Sequence, residues 1–262
     1  QELEAAYQTR LFDRQGSRIS LTEAGKLLLE HCERILEDYK RLEYEMHLLH
    51  NEYTGGLKLG ASTTVAQYVL PPLLASFIGK FPHVNLSLLN GNSREIEAAL
   101  QEHRIDLGFV EGVFRLPNIK YTTFLKDELV AVVRTGSKLA IGEEITPEEL
   151  LHLPLVLRER GSGTLDVFER ALQQHNIKLS SLQVLMYLGS TESIKLFLEH
   201  TDCLGIVSIR SITRELYSGQ LRVVEIKDMP MLRDFSFAQP QGQESGLAQV
   251  FMQFAMHYNN KL

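Results

Sequence analysis

The sharpest pattern along the chain is an early repeat of apolar positions. Leu28, Ile35, Leu42 and Leu49 stand seven apart, and Cys32, Tyr39 and Met46 each follow one of the first three by four. The surrounding stretch, Glu23 to about Asn51, has no Pro, no Gly after Gly25, and much Leu, Glu, Lys and Arg. That combination predicts one long helix whose narrow apolar stripe is the seam of a two-stranded pairing. Its flanks, among them Glu30, Glu37, Arg41 and Glu45, are charged and suit water on both sides of the seam. The competing reading is an amphipathic helix lying on its own domain.

Two short strands around the turn Gln15-Gly16-Ser17 are expected ahead of this helix, over 10–14 and 18–22. So small a hairpin is marginal alone, which predicts packing against a helix ending at Leu3 to Tyr7. Thr54-Gly55-Gly56 breaks the long helix. Strands then alternate with helices. Strands are expected over 57–61, 84–89, 105–110, 129–134, 154–158, 182–188, 204–208, 221–226 and 235–238. Helices are expected over 65–80, 93–103, 165–175, 192–200 and 247–258, with a short capped one from Thr146-Pro147. This alternation is that of an α/β fold with mainly parallel sheets.

Composition narrows the class. The 262 residues suffice for one large or two modest domains, and 44% hydrophobic with 23% charged residues is ordinary for a soluble globular chain. No apolar run approaches the roughly 18 residues of a membrane span. The start, Gln-Glu-Leu-Glu, has neither a basic segment nor an apolar core, so no secretory signal is expected. The absence of a leading Met reads as a trimmed chain. Two distant cysteines, Cys32 and Cys203, fit a reducing cytoplasm rather than a disulfide framework. The net charge of −6 excludes a surface that coats nucleic acid throughout, although residues 10–26 hold Arg10, Arg14, Arg18 and Lys26 against only Asp13 and Glu23.

Motifs for catalysis are missing. There is no Gly-x-Ser-x-Gly elbow, Walker loop, Cys-x-x-Cys or His-Glu-x-x-His. His47 and His50 lack a third ligand, so no metal, cofactor or enzymatic activity is expected. More telling is where small polar residues fall. Ser62-Thr63-Thr64, Asn92-Ser93, Ser162-Gly163-Thr164 and Ser190-Thr191 each follow a strand and open a helix. In an open α/β sheet such strand ends share one edge, where ligands bind, and helix starts offer free N–H groups that suit an anion. Each could equally be a helix cap. Four at equivalent places favour a cleft.

Together these residues resemble the LysR-type transcriptional regulators. Leu11-Phe-Asp-Arg14 and Ser20-Leu-Thr-Glu-Ala-Gly25 are similar to that family's wing and the start of its linker helix. Leu70-Pro-Pro-Leu-Leu74, Phe81-Pro82 and Asp106-Leu-Gly108 resemble its effector-domain segments. Arg158-Glu-Arg-Gly-Ser-Gly-Thr164 resembles a turn of the subset that regulates sulfur and carbon assimilation. That subset often carries Arg where Leu165 stands here, which leaves Arg158 and Arg160 as candidates for a carboxylate clamp.

The resemblance implies a bacterial, cytoplasmic DNA-binding regulator lacking most of its winged helix-turn-helix. Residues 1–22 would be the wing remnant, with Arg14 and Arg18 on the DNA backbone, and 23–53 the dimerisation helix. An effector domain of type 2 periplasmic-binding-protein fold would follow, with lobe I at 57–134 plus 239–262 and lobe II at 135–238. The chain would cross between lobes near 134–136 and 235–239. Expected partners are promoter DNA, a small anionic metabolite or inorganic anion in the cleft, and a second or fourth copy of the chain. The alternative is a solute-binding protein of a transport system with the same two-lobed fold.

Overall fold

The computed structural model describes residues 2–15, 18–48, 53–112, 115–139, 142–242 and 246–259, and divides into two units, Gln1–Glu52 and Tyr53–Leu262. The first unit is helix α1 (Glu2–Tyr7), the hairpin β1 (Phe12–Gln15) and β2 (Arg18–Leu21), and the long helix α2 (Glu23–Leu48). Thr22 joins hairpin to helix. Its hydroxyl donates to the Arg10 carbonyl at 2.7 Å and accepts from the Gly25 amide at 3.0 Å, capping α2. Gly25 is required here, since a Cβ would stand 2.1 Å from the Leu11 carbonyl oxygen.

Of the expected seam, Leu28 and Cys32 are half-buried, whereas Ile35, Tyr39, Leu42 and Met46 are 51–66% exposed. Leu49 and His50 lie outside the described residues, as do the side chains of Arg14, Arg18 and His47.

The second unit begins with β3 (Gly55–Ser62), α3 (Thr63–Tyr68), α4 (Leu70–Lys80), β4 (Val84–Gly91), α5 (Ser93–Gln101), β5 (Leu107–Glu111) and the 16-residue β6 (Ile119–Arg134). It continues with β7 (Glu144–Ile145), β8 (Pro154–Arg158), α6 (Gly163–Gln174), β9 (Gln183–Leu188), α7 (Thr191–His200) and β10 (Leu204–Ser208). Then come α8 (Thr213–Tyr217), β11 (Leu221–Ile226), β12 (Met231–Pro240) and α9 (Leu247–Asn259). The helix expected over 65–80 is two helices broken at Val69. Pro71 and Pro72 have no N–H to donate and fit only in a first turn, so α4 must start afresh at Leu70.

The strands form one sheet in the order β4-β3-β5-β12-β6-β10-β8-β9, with β11 on β6 and β7 on β11. β3 is parallel to β4 and β5, and β8 to β9 and β10, while β6 and β12 run antiparallel to each other through both halves. Phe235–Ala238 of β12 pair with β5, whereas Leu129–Val132 of β6 pair with β10. The change of partner therefore falls at 126–128 and 231–234, ahead of the 134–136 and 235–239 expected. The strand expected over 129–134 starts ten residues earlier, at Ile119, and within it Asp127 stands opposite Arg233 in the ladder and is buried against it. Residues 53–125 with 235–259 are called the first lobe and 129–230 the second.

The first lobe is centred on aromatic rings. Phe77 packs at 4.7 Å on Phe251 of α9, the rings tilted by 51°, and Phe109 packs on Phe237 at 5.0 Å. The second lobe buries Leu155, Leu157, Phe168 and Leu204 on one side of its sheet and Val156, Ile194, Leu198 and Cys203 on the other. Burial pushes the Cys203 thiol up to about 11, so it is an unreactive core group.

Candidate functional site at the strand ends

β3, β5 and β8 end at Ser62, Glu111 and Arg158; α3 and α6 follow β3 and β8, and α5, which follows β4, opens beside the end of β5. The small polar residues flagged by the sequence meet different fates. Asn92 and Glu95 form a capping box, with the Glu95 amide donating to Asn92 Oδ1 at 3.0 Å. Ser162 and Ser190 accept from the amides of Leu165 and Ser193 and cap α6 and α7. Ser93 donates to the Glu111 carbonyl at 2.8 Å and accepts from its amide at 3.2 Å, fixing the end of β5. Thr191 is buried at the start of α7.

Three further hydroxyls look inward. Thr63 Oγ1 accepts from Arg158 Nη2 at 3.3 Å and donates to the Gly91 carbonyl. Thr64 and Thr164 both donate to Glu111 Oε1, at 3.3 and 3.4 Å. Ser62 is buried at the N-cap position of α3, makes no cap bond, and its Oγ finds no partner among the described residues. Gly163 makes room for this convergence, since a Cβ there would stand 2.3 Å from the Glu111 carbonyl oxygen.

Two buried guanidiniums anchor the region. Arg158, 1% exposed, holds Glu159 with both Nε (2.8 Å) and Nη2 (3.0 Å), and Nη2 also reaches the Gly189 carbonyl at 3.3 Å. Its Nη1 is buried without a hydrogen-bond partner among the described residues. Arg233 donates from Nε to Asp127 Oδ2 at 2.7 Å and from Nη1 to Thr164 Oγ1 at 3.0 Å, and its Nη2 lies 3.2 Å from Glu111 Oε2. Asp127 also accepts from Ser208 Oγ at 2.7 Å.

A second link joins the lobes at α3 and α7. The Tyr68 hydroxyl donates to Glu192, and Lys195 Nζ lies 2.8 Å from both Glu192 and Glu215 and 2.9 Å from the Ser211 carbonyl. Burial holds the Tyr68 phenol above its ordinary range. Burial also works to raise Glu192, but hydrogen bonds from Lys195 and Tyr68 outweigh it and leave that carboxyl below its usual value. Beside α5, Glu97 lines a cavity of about 340 Å³ with Ser93, Arg94, Gln101, Glu111 and Asp166. Among the described residues no group of three or more His, Cys, Asp or Glu is placed to hold a metal ion.

With this geometry in place, the family profile described as the LysR substrate binding domain matches residues 50–259. The chain belongs to the LysR family. It is 34% identical over 225 residues to the uncharacterised HTH-type transcriptional regulator YeiE of Escherichia coli K12, covering 86% of this chain and 74% of that protein. It is 26% identical over 235 residues to the HTH-type regulator CysL of Bacillus subtilis 168, covering 90% and 78%. Among solved structures, the Synechocystis PCC6803 CcmR regulatory domain in complex with 2-PG superposes with a TM-score of 0.72 at 27% identity, covering 80% of this chain and 99% of that one. The effector domain of this LysR-type regulator thus has the two-lobed periplasmic-binding-protein-like fold, and the transport alternative is set aside.

Sequence reasoning missed much of what surrounds the LysR cleft. Glu111, Asp127, Arg233, Tyr68 and Lys195 were not among its candidates, and Arg158 entered only as one of two spare arginines; the other, Arg160, is exposed. One signal could have found Glu111: it ends a strand immediately before Gly112, the same strand-end position that marked the hydroxyl residues.

Proposed function

We propose that this regulator senses a small anionic metabolite or inorganic oxyanion in the cleft at the ends of β3, β5 and β8. The observation that carries the reading is two buried donors without a hydrogen-bond partner among the described residues, Arg158 Nη1 and Ser62 Oγ, both 1% exposed at the residue level; a third, Arg233 Nη2, has carboxylates at 2.7 and 3.2 Å. A buried donor without a partner costs about 1–3 kcal/mol, and an oxyanion would satisfy the first two. Thr63 ties the two together, following Ser62 in the chain and bonding to Arg158. Ser62, Thr63 and Arg158 make the anion contacts. Thr64, Ser93, Gly163 and Thr164 act through Glu111, and Asn92, Ser162, Ser190 and Thr191 shape the helix starts.

The ligand meets residues of both lobes, so its occupancy biases how they close, by its differential affinity for the two states. The α2 seam from Leu28 to Leu49 pairs with a second copy, and the wing arginines Arg14 and Arg18 contact promoter DNA phosphates in the cytoplasm. Support comes from the family and from CcmR, whose regulatory domain takes 2-PG. The test is a thermal-shift screen of the full chain against small anions. A raised melting temperature that Arg158→Gln removes is the expected result, and a confirmed effector that binds the variant at full affinity refutes it.

A further inference from the structure

The hydroxyls best placed to receive a ligand at the back of the cleft already hold an anion of the chain's own. Thr64 from one lobe and Thr164 from the other donate to Glu111 Oε1, and Arg233 pairs with Oε2. The carboxylate is fixed in place. Ser93 bonds both the amide and the carbonyl of Glu111. Gly112, at φ +114°, lies where a Cβ would be 3.1 Å from the Gly163 Cα. The end of β5 and the start of α6 thus touch backbone to backbone, which fixes the main chain of Glu111, while Thr64, Thr164 and Arg233 hold its carboxylate.

The charges at this end are balanced. Glu111 and Asp127 face Arg233, and the half-exposed Arg210 reaches Asp127 at 3.6 Å from outside. Among these four groups two carboxylates share two guanidiniums, so the charge of Arg233 is already divided between Glu111 and Asp127. Ser62 Oγ and Arg158 Nη1, without hydrogen-bond partners among the described residues, belong to the residue before Thr63 and to the guanidinium that Thr63 bonds through Nη2. Since Thr63 bonds Arg158 and Thr64 bonds Glu111, consecutive residues place the donor end and the acidic end side by side.

We propose that Glu111 is a specificity-determining residue: a built-in carboxylate that fills the back of the cleft and restricts the effector to a single anionic head. This rests on the anion-sensing reading above. A ligand carrying one oxyanion meets Arg158 and Ser62 and presents uncharged atoms to Glu111. A ligand with a second anionic head brings it against a carboxylate whose own counter-charge, Arg233, is already shared with Asp127, and like charges brought together in a low-dielectric setting repel strongly.

The experiment compares the full chain with its Glu111→Gln and Glu111→Asp variants. Dissociation constants are measured by calorimetry for acetate and inorganic sulfate, which have one head, and for succinate, which has two. The wild type is expected to favour the better single-headed probe over succinate by at least about tenfold. Glu111→Gln should narrow that ratio at least about tenfold, and Glu111→Asp should keep the preference, because it retains the charge. A purely structural role would weaken all probes together and leave the ratio unmoved. If the wild type binds succinate as tightly as the single-headed probes, or if Glu111→Gln leaves the ratio unchanged, the assignment to Glu111 is wrong while Arg158-dependent binding still stands. If no anion binds the wild type, the anion-sensing reading falls and this inference with it. Should Glu111→Gln not fold, the wild-type ratio and the aspartate variant decide.

Discussion

Thr64 and Thr164, from opposite lobes, donate to the same oxygen atom, Oε1 of Glu111. Three elements distant in sequence are thus pinned at one point, and a change at either threonine is felt at the other. Thr64→Val removes one donor to Glu111, and Thr164→Val removes one donor and also the acceptor of Arg233 Nη1, so Thr164→Val should cost the more; neither changes charge. Both bonds to Glu111 are long, so Thr64→Val should lose about 1–2 kcal/mol of stability, and Thr164→Val more, about 2–3 kcal/mol, because it also strands Arg233 Nη1. The pair should be non-additive because the acceptor is shared. A double-mutant cycle by urea denaturation measures the coupling, and strict additivity would show that the two hydroxyls act independently.

Arg158→Gln should abolish the stabilisation given by small anions. In the wild type, a ligand at a hundred times its dissociation constant adds about 2.7 kcal/mol. The variant should show a shift near zero across the same titration. Its own melting temperature should fall modestly, since Glu159, freed of its partner, is a quarter exposed and can hydrate.

Leu42→Glu tests the α2 seam. Leu42 is 55% exposed in a single chain, and a covered leucine contributes about 1.5–3 kcal/mol. Placing a charge there should yield monomers in sedimentation velocity. An unchanged mass would mean that α2 does not hold the copies together.

Glu97 offers a pH-dependent prediction. Burial raises its carboxyl above the usual range, against the opposing hydrogen bond from Tyr121 and the charge of Arg115. The folded state therefore binds the proton more tightly than the unfolded chain. The resulting stability is fully present below the unfolded value of 4.5 and is lost as pH rises through the higher folded value. Glu97→Gln keeps an acceptor for the Tyr121 hydroxyl, 2.5 Å away, and removes the titration. The variant should be the more stable protein at pH 7, with the difference shrinking toward pH 4. Urea midpoints at both pH values check the sign.

The legible parts of this fold are those whose signal is periodic. The α2 helix, the hairpin and the order of strands and helices all follow from spacing and turn residues, because burying one face imposes a period. β6 over 119–128 was not legible. Its outer half alternates poorly, and Lys126-Asp127-Glu128 carries the charge of a loop. Only the partner strand reveals that Asp127 is neutralised by Arg233. The same holds at the cleft. The hydroxyl clusters stand out by composition, whereas Glu111 and Arg158 are single charged residues whose partners come from distant segments, and one sequence gives no pairing to read.

The two long crossing strands also set an order of assembly. The second lobe is drawn from one uninterrupted stretch of chain, so a ribosome has delivered all of it before the last helix emerges. The first lobe is not so placed. Its aromatic centre lacks Phe251 and Phe254 until α9 arrives, when those rings close over Phe77 and Phe81. The half of the sensor synthesised first is thus completed last, and a nascent chain stalled before Leu247 would carry a finished second lobe joined to an open first one.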